Sequence, residues 1–507
     1  MTLRELLEKL PAAESHGDTD VSIDSLTCDS RTVVPGSLFF ALRGVQTDGH
    51  RYITQAVKAG AAAIVLEDAA AALDGLPWVK VADGRAAMGR LSALFNGDPT
   101  ATKPLIGITG TNGKTTTTYL IEAILAAAGK PAAVLGTISY RFGTTTIQAS
   151  HTTPESTELQ QAFRQLSEAG AEAFVMEVSS HALEQKRVDG CHFDVGIFSN
   201  LTRDHLDYHG TMESYLEAKS RFFSELLQPT DEKPRRRAAI NMDDPYGAEM
   251  VRRSACPVVT FGIEGTCDVR TVAVSSSVNG IHASLVTPVG TIDIASRLLG
   301  RFNLSNILAA VAAGVAFDLP LPAIKHGIEN HTTVPGRMER VENSRGVTCL
   351  VDYAHTGDAL ENVLATLQEL GAGRIITLFG CGGDRDNGKR PIMGRIATTM
   401  SDLAIVTSDN PRTENPLTIL EQIKAGITPL GLHEYRPEEL TAASTEKGFT
   451  MLENRHEAIR LAVRLARPGD IVLLAGKGHE DYQIIGTTKH HFDDREEAAA
   501  AFTENVT

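Results

Sequence analysis

Residues 105–116 read LIGITGTNGKTT, and this stretch decides the fold class. Its first five residues are mostly apolar, which predicts a buried strand. Gly110, Gly113 and Lys114 follow, and an apolar pattern at helical spacing then continues to a stop at Gly129. A strand, a glycine-rich turn and a helix in this order form the context of a phosphate-binding loop. We therefore predict a nucleotide-binding domain around these residues.

The chemistry of such a loop assigns a role to each of its residues. The predicted phosphate-binding residues are Gly110, Thr111, Asn112, Gly113, Lys114, Thr115 and Thr116. Backbone N–H groups curl around phosphate oxygens, and the helix N-terminus adds a positive dipole end. Lys114 is expected to reach the β and γ phosphates, and Thr115 to coordinate Mg²⁺. The strict G-x-x-x-x-G-K-[ST] spacing is not met, because its first glycine would fall at Ile108. ATP or GTP binding is predicted, and the reaction stays open.

Short apolar runs alternate with helical stretches along the whole chain, which predicts an α/β fold with parallel sheets. The clearest runs are 37–42, 62–66, 105–109, 174–178, 195–199, 375–379, 403–407 and 471–475. Ligands bind beyond the carboxyl ends of such strands, so the residues after each run are candidates for chemistry. Residues 268–296 alternate apolar and polar with turn signals, which predicts antiparallel hairpins added to the middle domain.

Length and composition bound the architecture and the partners. A chain of 507 residues exceeds one hydrophobic core. We expect three domains, at 1–102, 103–335 and 336–507. The net charge of −15 disfavours a nucleic-acid partner, and we interpret the basic run at 233–237 as a solvated loop. Six cysteines without C-x-x-C spacing indicate reduced thiols. Without a signal peptide or an apolar stretch of about 18 residues, we expect a cytoplasmic protein with no membrane partner.

Two further strand ends carry candidate metal ligands. Glu177 follows a buried run beside hydroxyls and is a candidate Mg²⁺ ligand, with a solvated strand-end acid as the alternative. His205 and His209 are four residues apart, as in a helical zinc site, but Leu206 stands where that motif has glutamate. With a phosphate loop upstream, a Mg²⁺ and phosphate role is favoured over zinc. Periodicity alone predicts that Lys219 is an exposed helix residue.

These motifs, taken in their order along the chain, resemble those of the Mur ligase family. The resemblance covers nearly the whole chain. It rests on Asp29-Ser30-Arg31, the loop at 110–116, Thr152-Thr153-Pro154, residues 177–181 and 200–209, Lys219, Phe302-Asn303, Asn306, Pro335-Gly336-Arg337, Asp352-Tyr353-Ala354-His355 and residues 380–390, 409–412 and 476–480. The resemblance implies a UDP-binding N-terminal domain, a central P-loop ATPase domain and a Rossmann-like C-terminal domain that binds an amino acid. It also implies an ATP- and Mg²⁺-dependent ligase that works through an acyl phosphate.

The same resemblance implies a role for individual residues. Lys114, Lys219 and His205 would be catalytic, and Thr115, Glu177, His205 and a carbamylated Lys219 would form the metal site. Asn306, Arg337, Asp352 and His355 would contact ATP in addition to the loop. The UDP-muramoyl-dipeptide would be held by Ser30, Val45, Gln46, Thr47, His151, Thr152, Thr153, Ser179, Gln185 and Arg187. The amino acid would be held by Arg385, Asp409, Asn410, Pro411, Arg412, Gly476 and Glu480.

Arg412 bears on which amino acid is added. It follows the run at 403–407, and its guanidinium offers a bidentate fork for a carboxylate, with a surface arginine in a turn as the alternative. meso-Diaminopimelate has a second carboxylate at its far end and lysine does not, so diaminopimelate is the expected substrate. The alternatives are a lysine-adding or folylpolyglutamate-type ligase, a nucleotide-gated binding protein without turnover, and a zinc hydrolase. The resemblance implies a monomer.

Overall fold

The computed structural model describes residues 1–8, 10, 13–44, 47–331, 333–371 and 373–504. The chain divides into two compact units. Unit 1 comprises Met1–Thr271, Val286–Ile292 and Asn306–Gly327, and unit 2 comprises Val272–Leu285, Asp293–Ser305 and Ile328–Thr507. The three predicted domain ranges stay a prediction.

Unit 1 begins with a five-stranded sheet in the order β1-β5-β4-β3-β2. Its strands are β1 Glu14–His16, β2 Ser25–Thr27, β3 Ser37–Ala41, β4 Ala61–Leu66 and β5 Trp78–Lys80, and its helices are α1 Leu3–Leu7, α2 Ile53–Lys58, α3 Gly84–Phe95 and α4 Pro99–Thr102. Only β1 runs antiparallel to its neighbour. Leu38 and Phe40 of β3 pack with Met88 and Leu91 of α3 in one core. The strands predicted at 37–42 and 62–66 are confirmed.

The predicted nucleotide-binding strand lies at the centre of the second sheet. The elements of this region are β6 Leu105–Thr109, α5 Lys114–Ala127, β7 Ala132–Leu135, β8 Tyr140–Phe142, β9 Thr145–Ile147, α6 Ser156–Glu168, β10 Ala173–Glu177, α7 Ser180–Glu184, β11 Val195–Phe198, α8 Leu206–His209, α9 Met212–Arg221, β12 Arg237–Asn241, α10 Gly247–Arg253 and β13 Val258–Gly262. Strand β6 pairs in parallel with both β10 and β11. The carboxyl ends of these three strands therefore meet at one edge, as the α/β prediction requires.

The segment predicted as hairpins forms three strands that follow β13 in sheet order. They are β14 Val269–Ser277, β15 Gly280–Thr287 and β16 Gly290–Ser296, and the helices α11 Arg301–Ala316 and α12 Leu321–Asn330 come next. The interpretation of residues 233–237 as a solvated loop holds for Pro234 and Arg235, which are exposed, and is wrong for Lys233 and Arg236, which are buried. The Lys233 Nζ lies 2.7 Å from Asp194 Oδ2, and the guanidinium of Arg236 donates to the carbonyl of Leu226. Each of these two cations therefore has an oxygen acceptor within the chain.

Unit 2 contains a seven-stranded sheet in the order β17-β18-β23-β19-β20-β22-β21. Its elements are β17 Glu339–Val341, β18 Thr348–Asp352, α13 Gly357–Glu369, β19 Ile375–Phe379, α14 Lys389–Met400, β20 Leu403–Val406, α15 Pro416–Ile427, β21 His433–Glu434, β22 Gly448–Met451, α16 Arg455–Leu465, β23 Ile471–Ala475, β24 Tyr482–Ile485, β25 Thr488–His491 and α17 Asp494–Thr503. Strand β23 lies between β18 and β19, parallel to both. The strands predicted at 375–379, 403–407 and 471–475 are confirmed, and β24 and β25 form a separate two-stranded hairpin.

Arg455 and Asp494 form a completely buried ion pair in unit 2, with both side chains 0% exposed. We expect Arg455→Met to lower the free energy of unfolding by about 3–5 kcal/mol, because it leaves the Asp494 carboxylate buried without its partner. Urea denaturation followed by circular dichroism measures this. Arg436→Met, at an exposed arginine, is the matched control. Arg455→Met with Asp494→Leu should recover part of the loss, and a single variant as stable as the control would contradict the expectation.

All six cysteines are free. Burial raises the pKa of Cys28 to about 11 and the pKa of Cys349 and of Cys381 to about 12. Burial also raises the pKa of the thiols of Cys191, Cys256 and Cys267. Reduced thiols were predicted from their spacing. Across the described ranges, no helix is both long enough and apolar enough to cross a membrane.

Candidate active site

The phosphate loop, residues 110–116, has a backbone that only glycine fits at two positions. Gly110 has φ 152° and Gly113 has φ 87°. A Cβ at Gly110 would lie 1.9 Å from Ser199 Oγ, and a Cβ at Gly113 would lie 2.2 Å from Asn306 Oδ1. Asn306, predicted to contact ATP, thus lies directly against the loop within unit 1.

The end of β11 holds the loop in place. The backbone N–H of Thr111 donates to Asn200 O at 2.9 Å, and the N–H of Asn112 donates to Asn200 Oδ1 at 2.8 Å. Ser199 Oγ donates to Asn112 O at 2.7 Å. Sequence reasoning gave Ser199 and Asn200 no site role. The only signal for one was the position of Asn200 at a strand end within a family motif.

Two lysines converge on one carbonyl oxygen of the loop. Lys114 Nζ donates to Gly110 O at 2.9 Å and to Thr111 O at 2.8 Å, and Lys219 Nζ donates to the same Gly110 O at 3.0 Å. Lys219 is 1% exposed, so the expectation from periodicity that it is exposed is wrong. Burial, with the Lys114 charge as a second cause, lowers the pKa of Lys219 well below its usual value. Two lysine amines therefore meet where phosphates would lie, and burial favours the neutral form of the Lys219 amine.

Glu177 is a buried acceptor beside the loop, and the alternative of a solvated acid is wrong. The residue is 1% exposed. Its Oε1 accepts from Thr115 Oγ1 at 2.9 Å and from the Thr137 N–H at 3.1 Å, and its Oε2 accepts from Thr137 Oγ1 at 3.0 Å. A hydroxyl and a carboxylate that adjoin a phosphate loop are the oxygen ligands that Mg²⁺ prefers. Thr115 and Glu177 therefore fit the predicted metal site.

His205 and His209 have different surroundings. His205 has φ 53° just before α8, and its ring centroid lies 5.1 Å from that of His181 and 6.2 Å from that of Tyr215. His209 is buried, with Nε2 2.9 Å from Ser180 Oγ. Within the part of the chain that the structure describes, no three His, Cys, Asp or Glu side chains gather as a metal cluster. The spacing of the two histidines thus gives the zinc alternative no geometric support.

Five of the residues predicted to bind the UDP-muramoyl-dipeptide, namely Thr152, Thr153, Ser179, Gln185 and Arg187, lie in one region beside Glu177. Thr153 Oγ1 donates to Glu177 O at 2.8 Å and accepts from the Ser179 N–H at 3.1 Å. Arg187 Nη1 donates to Thr153 O at 2.9 Å, and its Nη2 donates to Gln185 Oε1 at 2.7 Å. Thr152 Oγ1 lies 3.0 Å from Thr137 Oγ1. The structure thus brings these residues together with the candidate metal ligand.

The other predicted residues of this group have local partners. Ser30 Oγ donates to Gln55 Oε1 at 3.3 Å, and Thr47 Oγ1 lies 3.3 Å from the Tyr52 hydroxyl. The carbonyl of His151 accepts from the Tyr140 hydroxyl at 2.5 Å. Val45 and Gln46 lie outside the described residues. The roles of these residues stay predictions.

Three predicted ATP contacts form a cluster in unit 2. The Arg337 guanidinium lies 4.5 Å from the centroid of the Tyr353 ring. Asp352 accepts from the Met338 N–H at 2.7 Å and from the Ala354 N–H at 2.8 Å, and burial raises its pKa despite the nearby Arg337 charge. His355 Nδ1 lies 2.7 Å from Tyr353 O. These contacts place a cation at the carboxyl end of β18.

The predicted amino-acid site gathers carboxylates at the ends of β20 and β23. Asn410 Nδ2 donates to Glu480 Oε2 at 2.8 Å, and a Cβ at Gly476 would lie 3.0 Å from Asp409 Oδ2. Burial, followed by the Asp409 charge, raises the pKa of Glu480. Lys477, which sequence reasoning passed over, is fully buried among these groups. Its position between two motif glycines was the only signal for it.

Arg412 is fixed from two sides. It has φ 50°, its Nη1 donates to Gly383 O at 2.7 Å, and its N–H donates to Ile484 O in β24 at 3.1 Å. A Cβ at Gly382 would lie 3.0 Å from Arg412 Nη1 and 3.8 Å from Arg385 Cγ, so the two predicted arginines border the same glycine. A Cβ at Gly383 would lie 1.9 Å from the carbonyl oxygen of Pro411. Because Arg412 is half-buried and held by backbone groups, it is not a freely exposed turn arginine.

Comparisons with known proteins agree along the whole chain. Family models match as the Mur ligase catalytic domain at 22–96, the middle domain at 108–314 and the glutamate ligase domain at 336–478. The UDP-N-acetylmuramoyl-L-alanyl-D-glutamate--2,6-diaminopimelate ligase of Geobacter metallireducens is 62% identical over 504 residues, which are 99% of each chain. That of Geobacillus thermodenitrificans is 44% identical and covers 99% of this chain and 100% of its own. A solved structure of a ligase with this name has a TM-score of 0.70 at 33% identity and covers 99% of this chain and 98% of its own. The chain belongs to the Mur ligase family.

Proposed function

We propose that this chain is an ATP- and Mg²⁺-dependent ligase that joins meso-diaminopimelate to UDP-N-acetylmuramoyl-L-alanyl-D-glutamate in the synthesis of peptidoglycan precursors. The observation that carries the proposal is the arrangement at the phosphate loop. Two lysines reach Gly110 O, and the Thr115 hydroxyl donates to the buried Glu177 carboxylate. Lysine amines and oxygen groups that suit Mg²⁺ are thus concentrated at one phosphate site. The relatives whose names specify this reaction support the choice of substrates.

The proposed reaction has two transfers. The terminal carboxylate of the UDP-muramoyl-dipeptide attacks the γ-phosphate of ATP, which forms an acyl phosphate and releases ADP. The amine of diaminopimelate then attacks the acyl carbon, and inorganic phosphate leaves. Lys114 offsets the negative charge that develops on the transferred phosphoryl group. Bound Mg²⁺ would add charge neutralisation, with Thr115 and Glu177 as protein ligands.

The proposed amino-acid site offers diaminopimelate groups of both charges. Asp409 and Glu480 provide negative charge for an ammonium group, and the guanidinium of Arg412 provides a fork for the far carboxylate. Arg412 Nη1 already has a partner in Gly383 O, so its remaining N–H groups are the ones that would meet a substrate. Lysine leaves that fork without a carboxylate, which favours diaminopimelate.

We also propose that Lys219 is carbamylated. A neutral amine reacts with CO₂, and the lowered pKa of Lys219 makes the neutral form accessible. The carbamate would supply carboxylate-like oxygens beside Thr115 and Glu177, with His205 as a further metal-site residue.

Removing CO₂ tests this modification. We expect CO₂-free buffer to lower turnover by about a hundredfold, because a metal-binding anion is replaced by an amine, and added bicarbonate to restore it. Phosphate release measures turnover, and a carbamate signal from ¹³C-bicarbonate in NMR spectra measures the modification. Lys219→Met should lack both the signal and the response. Full activity in CO₂-free buffer without a carbamate signal would contradict the proposal.

Phosphate release with Mg²⁺-ATP and the UDP-muramoyl-dipeptide, compared between meso-diaminopimelate and L-lysine, tests the proposed function. Release with diaminopimelate and little with lysine supports it. The reverse preference supports the lysine-adding alternative, and no release with either amino acid would favour a nucleotide-gated binding protein. A chelator-stripped protein that recovers activity with Zn²⁺ and not with Mg²⁺ would favour the zinc hydrolase alternative.

We further propose that the chain acts as a cytoplasmic monomer on small-molecule substrates.

A further inference from the structure

Lys477 is a fully buried lysine that joins three segments of unit 2. Its side chain is 0% exposed. Its Nζ lies 3.4 Å from Asn410 Oδ1 after β20 and 3.4 Å from Glu480 Oε2 after β23, and it also donates to the carbonyl of Tyr482 at the start of the hairpin β24–β25. Asp409 Oδ1 lies 3.8 Å away. A lysine is rarely buried completely unless it is paired, and every group around this one belongs to the candidate amino-acid site or adjoins it.

The contacts of Lys477 explain how two carboxylates stay close together. Asp409 and Glu480 would repel each other, and one would take up a proton unless a cation lay between them. Charged or titratable groups facing Glu480 are Asp409, Lys477, Tyr353, Tyr482 and Arg455. The charge of Arg455 is already paired with Asp494. Lys477 is therefore the cation that balances the pair.

Lys477 also fixes the orientation of Asn410. The Oδ1 of Asn410 lies near Lys477 Nζ and accepts from the Ile484 N–H at 2.9 Å, so its Nδ2 points to Glu480. Reversing this amide would place its NH₂ group against two donors. The orientation of Asn410 and the charge of Glu480 thus have a common origin.

We propose that Lys477 is a positioning residue for the amino-acid substrate, which holds Glu480 ionised and holds Asn410 turned so that its Nδ2 orients Glu480 to receive the ammonium group of the incoming amino acid. This inference rests on the proposed function and adds a residue to that site. Lys477 acts through Glu480 and does not itself contact the substrate. Its removal should therefore affect amino-acid binding more than the phosphoryl transfer.

A double-mutant cycle tests the inference with Lys477→Met, Glu480→Gln and the two combined. We expect Lys477→Met to raise the KM for meso-diaminopimelate roughly tenfold to a hundredfold, with the KM for ATP unchanged. The combined variant should match Glu480→Gln within about threefold, because Lys477 acts on the substrate through Glu480. Lys424→Met, which breaks a pair with Glu434 at the surface, is the control. A combined KM equal to the product of the single effects would overturn the inference.

The pH dependence separates positioning from a merely structural role. Without Lys477 the pKa of Glu480 rises further, so a larger fraction of Glu480 is protonated at a given pH and cannot accept an ammonium group. The KM of Lys477→Met for meso-diaminopimelate should therefore fall between pH 7 and pH 8.5, whereas the KM of Glu480→Gln should not fall. A flat profile for Lys477→Met would overturn the inference.

Two controls keep these outcomes distinct. If Lys477→Met does not fold, the comparison of Glu480→Gln with the combined variant still decides, because the combined variant buries no unbalanced carboxylate at Glu480. The unaltered protein tests the proposed function in the same assay. If the unaltered protein turns over diaminopimelate and the KM effects of Lys477→Met and Glu480→Gln multiply in the combined variant, only the role of Lys477 is overturned. Failure of the unaltered protein to turn over would overturn both proposals.

Discussion

Replacing Lys114 with methionine is expected to lower kcat by about a thousandfold with saturating substrates, which is the size of effect seen when a preorganised charge-stabilising group is removed. Lys114 Nζ donates to Gly110 O and Thr111 O, so these two hydrogen bonds position it at the phosphate loop. Methionine keeps most of the aliphatic length and removes only the charge and its donors. The loss should therefore lie in the phosphoryl transfer and not in folding.

The same variant should alter Lys219. The Lys114 charge is one cause of the lowered pKa of Lys219, so its removal should raise that pKa and reduce the neutral amine. Bicarbonate should consequently restore only a small part of the activity. Phosphate release measured against Lys130→Met, at an exposed lysine that follows the same helix, checks the expectation. A loss below tenfold would show that Lys114 is not central to the transfer.

The second large effect concerns Arg412. We expect Arg412→Met to lower kcat/KM for meso-diaminopimelate about a hundredfold and to leave the value for L-lysine nearly unchanged. Only diaminopimelate has a far carboxylate, and this carboxylate loses its partner Arg412 in the variant. A buried charge left unpaired costs about 2–5 kcal/mol. Discrimination between the two amino acids should thus nearly disappear.

Arg412 also has a structural role that the experiment must separate from recognition. Its N–H donates to Ile484 O, and its own carbonyl accepts from the Gly486 N–H at 2.8 Å. These backbone bonds survive the change to methionine. Kinetics with both amino acids are compared with those of Arg436→Met, an arginine exposed in the same unit. Equal losses for both amino acids would mean that Arg412 shapes the loop and does not recognise a carboxylate.

Local sequence pattern predicted the strands that are surrounded by apolar residues on both faces. The strands at 105–109, 375–379 and 471–475 were found because a parallel strand buried on both faces is apolar throughout. Glu177 and Arg412 were found because ligands gather at the ends of such strands.

Long-range contacts account for what the pattern missed. Lys219 has the spacing of an exposed helix residue, but its partner Gly110 lies 109 residues earlier in the chain. Lys477 gave no local signal of burial beyond its position between two motif glycines, because its burial depends on Asn410, 67 residues away. The burial of Lys233 and Arg236 was missed for the same reason, since their acceptors Asp194 and Leu226 lie in other segments of the chain. Periodicity describes which face a residue occupies and not what covers that face.

The buried thiols make the native chain suitable for site-specific labelling. Because the pKa of every cysteine is raised, the thiolate that reacts with maleimides is scarce at neutral pH. A cysteine introduced at an exposed position such as Thr445 or Lys130 would react far faster than the six native ones. Fluorophores could thus be attached to each compact unit without first removing the native cysteines, and energy transfer between them would report the distance between the two labelled positions.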